Sequence, residues 1–444
     1  MSTEVTIPAT LPVEFVERMI HVSGEYEMFR PQIGGVVSLD GRLDEARMRR
    51  ALRLLLDAEP VLGCRFVAEA VPPVWQRLDG LDALRLLDVR ESADPEGDAA
   101  AFIARPLDRR ADPQLLAMLV RGSSGDLLAV KVGHVAMDGG ALKEALYLAG
   151  EFYRTLGDRP DWTPQPNVDG VRRPTARAGL LEHLRSLDQS AVLPPPSEWK
   201  TPSLGSAGAR EYVTATVEPE AFRAAVALGK AAGATVNDVL LTALYRTLYR
   251  LLRPAPGAKT PLTLSCELRK HLPAGTRTAL SNISGAWHIS VSPAEDEPFD
   301  GTLIRVVAAT SAWKRAGAGR KVAVATPMTY ALTRRLGLGF VRKMMSQATG
   351  GAAEKKVGGL GLTNIGIIDE SRLDFGASAH VTDAWLLGPI SAVSVILTAS
   401  TYRDRLHLAL GTEFASMDGE PVSAVVEGTV GEIESWVTSR ATQR

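Results

Sequence analysis

Apolar positions along the chain alternate between two spacings, and each change of spacing marks a new element. Residues 34–39 form a short apolar run. It passes through Asp40-Gly41 into 43–58, where Ala46, Met48, Ala51, Leu52, Leu55 and Leu56 recur at helical intervals. Residues 115–120 and 127–132 read as two strands around a turn at 122–126. A helix is expected over 140–156, because Leu142, Ala145, Leu146, Ala149, Phe152, Tyr153 and Leu156 form one stripe. Between that second strand and this helix stands Gly-His-Val-Ala-Met-Asp-Gly-Gly.

The pattern then breaks. Residues 157–209 hold eight of the 27 prolines in a mostly polar stretch, which reads as a crossing linker. Leu180, Leu181, Leu184 and Leu187 give it one helical interlude over 177–187. Beyond it, 211–217 alternates like a strand, 219–232 and 236–252 read as helices, and 262–267 and 286–291 as strands. Residues 391–399 and 405–411 read as a long antiparallel hairpin. The expectation is an α/β (α+β) chain with an N-terminal lobe over 1–175, a crossing over 176–210 and a C-terminal lobe over 211–444.

Composition narrows the function. With 45% hydrophobic and 23% charged residues, the 444-residue chain has the balance of a globular protein. Its 50 basic and 51 acidic residues leave a net charge of -1, so there is no global excess to attract nucleic acid or anionic lipid, and neither is expected as a main partner. Two cysteines, Cys64 and Cys266, are too few for a disulfide framework or a cysteine zinc site. No secretory signal or long apolar span is legible, which together with the cysteine count predicts a cytoplasmic protein.

The chemistry concentrates at His134 and Asp138. An imidazole just after an apolar strand sits where open sheets place reactive groups, and in its neutral form it can accept a proton from a nucleophile. Asp138 is poised to orient the loop or to cap the following helix, and Gly139 and Gly140 argue against one helix running through the segment. On spacing alone a structural histidine followed by an N-cap aspartate is the commoner reading of such a pattern.

Gly133-His134-Val135-Ala136-Met137-Asp138-Gly139 resembles the His-His-x-x-x-Asp-Gly motif of nonribosomal peptide synthetase condensation domains, polyketide-associated acyltransferases and chloramphenicol-acetyltransferase-like enzymes. Here Gly133 replaces the first His. The likeness extends over most of the chain. Leu39-Asp40-Gly41-Arg42-Leu43-Asp44 and Glu59-Pro60-Val61-Leu62-Gly63-Cys64-Arg65-Phe66 are similar to the family's N-terminal region. Gly233-Ala234-Thr235-Val236-Asn237-Asp238, Glu267-Leu268-Arg269-Lys270, Ser281-Asn282-Ile283-Ser284-Gly285 and Thr363-Asn364-Ile365-Gly366 match later positions in order.

The resemblance implies two chloramphenicol-acetyltransferase-like lobes, each a mixed sheet flanked by helices, with a tunnel between them. It implies acyl transfer from a thioester, on coenzyme A or on the phosphopantetheine arm of an acyl or peptidyl carrier protein, to a small-molecule alcohol or amine, in specialised metabolism. His134 becomes the catalytic base. Asp138 becomes a structural partner of Arg269, with Gly139 supporting the turn. Gly133, Ser281, Asn282, Trp287, Thr363 and Asn364 become candidates for the substrate channel. Asn282 and Asn364 also suit turn backbone, and Trp287 suits core packing. A non-catalytic carrier-binding or scaffold relative is the alternative, as is the same site turned to cyclisation, dehydration or hydrolysis. The seven histidines show no ligand spacing, so neither a metal nor a tightly bound cofactor is expected. Arg334, Arg335, Arg342 and Lys343 flank an amphipathic stretch, 328–348, which reads as a solvated helix face or, alternatively, as a dock for an acidic carrier helix.

Overall fold

The computed structural model describes residues 5–108, 110–173, 179, 182, 186, 197–348 and 359–442. The interlude expected at 177–187 lies almost wholly outside the described residues.

Strands β1 (Thr10–Pro12), β3 (Cys64–Val67) and β4 (Val74–Arg77) form a small antiparallel sheet. Strands β2 (Gln32–Leu39), β5 (Leu87–Glu91), β6 (Leu115–Arg121), β7 (Asp126–Gly133) and β12 (Val381–Leu387) form a five-stranded sheet in the order β12-β2-β7-β6-β5. Strands β8 (Ala207–Val217), β9 (Thr260–Glu267), β10 (Ser284–Val291), β11 (Leu360–Ile367), β13 (Val395–Tyr402) and β14 (Arg405–Phe414) form a six-stranded sheet in the order β10-β9-β11-β13-β14-β8. Both large sheets are mixed, with parallel pairs at β5/β6, β9/β11 and β11/β13. The halves interleave, because β12 crosses back to pair antiparallel with β2.

Helices α1 (Phe15–Glu25), α2 (Glu45–Ala58), α3 (Pro95–Ala104) and α4 (Gly139–Asp158) accompany the first sheet in sequence. Helices α5 (Pro219–Ala231), α6 (Val236–Leu252), α7 (Phe299–Arg315), α8 (Ala318–Thr333), α9 (Leu338–Ala348) and α10 (Ser423–Thr442) belong to the second half. The two amphipathic stripes read from sequence account for much of one core. Met48, Ala51, Leu52, Leu55 and Leu56 of α2 and Leu142, Ala145, Leu146, Ala149, Phe152, Tyr153 and Leu156 of α4 are all buried in it, and a fully buried Leu or Phe contributes about 1.5–3 kcal/mol. Ala46 departs from its stripe and is exposed at the first turn of α2. A second core gathers α6, α10 and the inner face of the six-stranded sheet.

The segment Gly233-Ala234-Thr235-Val236-Asn237-Asp238 closes one helix and opens α6. Gly233 adopts a left-handed φ of 70°, which ends the preceding helix. Asp238 Oδ2 then accepts from both the amide and the hydroxyl of Thr235 at 2.7 Å, a capping box. The hairpin β13/β14 differs from its expected limits. Ser391 Oγ accepts from the amides of Val393 and Ser394 at 3.1 and 2.8 Å, which turns the chain and delays the strand to Val395. At the far end the turn is tighter than expected, since Arg403 and Asp404, at φ 44° and 60°, form it alone.

Candidate active site

The loop between β7 and α4 is short and fixed by its own backbone. β7 is buried from Asp126 to Gly133, His134 N donates to Pro31 O at 2.9 Å, and Ala136 N donates to Gly133 O at 2.9 Å. His134 thus stands at the strand end, half-buried, with the Phe29 ring tilted against it at a centroid distance of 6.1 Å. Its Nδ1 lies 3.0 Å from the carbonyl oxygen of Met137. A carbonyl only accepts, so Nδ1 carries the hydrogen and Nε2 keeps its lone pair. Burial pushes the proton affinity of His134 below the usual histidine value, outweighing the opposing pull of the Met137 carbonyl, Asp138 and the Asn282 carboxamide. The ring is therefore neutral at neutral pH, in the tautomer a general base needs.

Asp138 caps α4 and ties the loop to the second half of the chain. Its Oδ1 accepts from Ala141 N at 2.9 Å and from Arg269 Nη2 at 3.0 Å. Its Oδ2 accepts from Arg269 Nη1 at 3.1 Å and from Ile283 N at 2.8 Å. The carboxylate is 4% exposed and holds four donors, two in the forked arginine geometry. Arg269 is further bonded to the Glu267 carboxylate and donates to Ser281 O at 2.9 Å. Although burial pulls the other way, the Asp138 and Glu267 carboxylates raise its affinity for the proton, so it is a fixed cation.

Gly133 has a neighbour that explains its lack of a side chain. A Cβ there would stand 2.2 Å from Gln114 Oε1. The Gln114 carboxamide is itself held, by a 3.1 Å bond from Nε2 to Cys64 O, and it occupies the space that a residue 133 side chain would need. Gly133→Ala is expected to cost about 1–3 kcal/mol through overpacking. Adding Gln114→Ala should recover part of that loss, so urea unfolding of the two single variants and the double variant should reveal a coupling of about 0.5 kcal/mol or more. Strict additivity would mean that the two positions do not compete for space. Gly139 and Gly140 are crowded as well. Cβ atoms there would meet Ile365 Cδ1 at 2.8 Å and Arg269 Nη1 at 3.0 Å.

The remaining sequence candidates fall into two groups. Asn282 joins the loop directly, its Nδ2 donating to His134 O at 3.0 Å and to Val135 O at 2.9 Å. Ser281 is fully buried, its hydroxyl turned to Ala279 O at 3.1 Å and its carbonyl bonded to Arg269. Asn364 sits on β11, where Nδ2 donates to Asn237 Oδ1 at 2.5 Å and Oδ1 accepts from Gly366 N at 2.9 Å, with half-buried Thr363 beside it. Trp287 lies in the second core at 5% exposure, stacked on Trp313 at 4.0 Å. Sequence reasoning missed Gln114, Phe29, Ile365 and Lys143. Lys143 Nζ donates to Ile365 O and Ile367 O at 2.8 and 3.0 Å, clamping α4 to β11. Its fourth-residue spacing after Gly139 was the available signal; Gln114 offered none.

No protein-family model matches the chain, and no curated protein matches it in sequence. Solved structures do match in shape. The first condensation domain of the CDA synthetase superimposes with a TM-score of 0.67 at 16% identity, over 96% of each chain. The chain has the condensation-domain fold. Polyketide synthase associated protein 5 from Mycobacterium tuberculosis matches at a TM-score of 0.65 and 15% identity, over 97% of this chain and 98% of that one. The starter condensation domain of rhizomide synthetase, solved in complex with C8-CoA and Leu-SNAC, matches at 0.64 and 14%, over 97% and 95%. On this condensation-type fold, His134 stands at the end of a central strand of one sheet, and the segments that brace its loop, 281–283 and Arg269, come from the half of the chain that builds the other.

Proposed function

We propose that the protein is a thioester-dependent acyltransferase that forms an ester or amide in specialised metabolism. The donor is an acyl-CoA or an acyl thioester on a carrier protein, and the acceptor is a small alcohol or amine. The observation that carries this reading is the His134 imidazole, held through Nδ1 to Met137 O with Nε2 unprotonated, at the end of a strand and braced from the other half of the chain. The chain works as lobes 1–175 and 211–444 joined by 176–210, with β12 of the second seated in the sheet of the first and the reactants meeting in a tunnel between them, in the cytoplasm.

His134 Nε2 accepts the proton of the acceptor O–H or N–H as its heteroatom attacks the thioester carbonyl. The C–S bond then breaks, the carbonyl re-forms, and the proton leaves with the thiolate or to solvent. The intermediate oxyanion needs donors. The amides of Gly139 and Gly140 open α4 without an intrahelical acceptor and suit that role. Asp138, Arg269 and Asn282 position the loop and do not touch the reacting atoms. The fold match to a starter condensation domain bound to C8-CoA supports a coenzyme A donor of this kind.

The depressed proton affinity of His134 sets a pH test. The base is active when neutral, so kcat/KM should rise through the acid limb below about 6.5, the ordinary histidine value, and stay level above it. An acid limb above that value would contradict the half-buried, neutral imidazole. The activity itself is tested by mass spectrometry of the protein with a panel of acyl-CoA thioesters and simple amines and alcohols. A new ester or amide that disappears in His134→Ala supports the reading. Absence of any product across the panel favours a scaffold role, whereas a product formed by His134→Ala at the parental rate would show that His134 is not the base.

A further inference from the structure

Charge is segregated along the chain in a way its near-zero total conceals. Residues 301–353 contain nine Lys and Arg and no Asp or Glu, whereas the rest of the chain holds 41 basic and 51 acidic residues. Three of the nine find carboxylates outside the segment: Arg305 with Glu297, Arg320 with Glu182 and Arg342 with Glu25. Arg334, Arg335 and Lys343 are exposed and have no acidic partner among the described residues.

Apolar exposure collects in the same place. Leu332, Leu336 and Phe340 around the α8/α9 turn, with Ile304 on α7, are four of the eight large hydrophobic side chains exposed among the described residues, at 74%, 39%, 42% and 69%. A fifth, Val71, is 76% exposed and reaches to 3.7 Å from where a Cβ on Gly337 would stand. Helix α9 divides cleanly. Leu338, Val341 and Met345 pack inward on Phe15 and Val22 of α1, which leaves Phe340 and Lys343 on the outer side.

The turn between α8 and α9 is rigidly held from behind. The Arg18 guanidinium, 2% exposed, donates from Nη1 to Thr333 O and Leu336 O at 2.9 and 3.0 Å, and from Nη2 to Arg334 O at 3.0 Å. A buried cation thus satisfies the carbonyls at the end of α8 and fixes the backbone that carries Leu332, Arg334, Arg335 and Leu336.

From this juxtaposition we infer that the α8/α9 turn and the outer side of α9 form a docking surface for an anionic membrane. Protruding aliphatic and phenyl side chains set among unpaired cations are the chemistry that enters the headgroup region, the cations meeting lipid phosphates and the apolar groups the first methylenes. The contact is peripheral; no single helix among the described residues is long and apolar enough to cross a bilayer. This surface is independent of the acyl-transfer reading, and its test does not use activity.

Co-sedimentation of the full chain with vesicles decides it. Binding is expected to vesicles of phosphatidylcholine mixed with phosphatidylserine, not to pure phosphatidylcholine, and to weaken with salt. Each surface cation contributes about five-fold to partitioning, so the triple variant Arg334→Ala/Arg335→Ala/Lys343→Ala should bind about 100-fold more weakly. Leu332→Ser/Phe340→Ser, which leaves the charge intact, should also weaken binding. Circular dichroism should show both variants folded, since every altered side chain is exposed. Equal binding to neutral vesicles, no binding to either, or full binding by the triple variant would overturn the inference. So would capture of an acidic carrier protein by this face without vesicle binding.

Discussion

His134→Gln is expected to lower the rate of acyl transfer by about 10²- to 10⁴-fold, the usual span for loss of a positioned general base, with little change in the unfolding midpoint. Glutamine fills similar space but offers no nitrogen lone pair that takes up a proton near neutral pH. The stability expectation follows from the contacts of the ring. Its ring hydrogen-bonds Met137 O, while the loop is held by bonds that the substitution leaves alone: His134 N to Pro31 O and Asn282 Nδ2 to the 134 and 135 carbonyls. The comparison is a steady-state rate beside a urea denaturation curve. A variant that loses activity and stability together would make His134 structural.

Asp138→Ala should have the opposite profile, with a loss of stability of about 3–5 kcal/mol, the cost of breaking a buried ion pair from one side. The reason is what remains. Arg269 keeps its charge in a half-buried position with only Glu267 and Ser281 O as partners, and the amides of Ala141 and Ile283 lose their acceptor. Each unsatisfied buried donor alone costs about 1–3 kcal/mol. Two distant parts of the chain, the start of α4 and the 267–283 segment, are joined through this one carboxylate. The expected consequence is therefore a shift of the whole unfolding transition rather than local fraying. A loss below about 1 kcal/mol would show that water or Glu267 replaces the carboxylate.

Local periodicity carried the elements of the central layers. The stripes of α2 and α4, the alternation of β8 and the capping box of α6 are each set by side chains within a few turns of one another, so they are visible one segment at a time. The topology is not of that kind. β12 returns to pair with β2, and nothing in Val381–Leu387 marks it for the first sheet rather than the second. At the site, His134 and Asp138 were legible because the strand, the loop and the cap follow in order. Gln114 was not, because its relation to Gly133 is a contest for volume between the end of β7 and the residue just before β6. Asn282 illustrates the middle case. The residue could be singled out, but its bonds to the 134 and 135 carbonyls exist only once the two halves meet. Of the charge-segregated segment 301–353 only Arg334, Arg335, Arg342 and Lys343 stood out in sequence, and their meaning depended on which side chains α8 and α9 leave outside.

In the proposed mechanism His134 presents Nε2 to a thioester and its acceptor. A crystal structure with a non-hydrolysable acyl-CoA thioester analogue and an acceptor amine or alcohol tests it most directly. The pantetheine arm is expected between the lobes, the acceptor heteroatom within about 2.6–3.2 Å of His134 Nε2, and Nδ1 still bonded to Met137 O. An analogue bound elsewhere, or an imidazole that turns Nε2 away from the thioester, would contradict it.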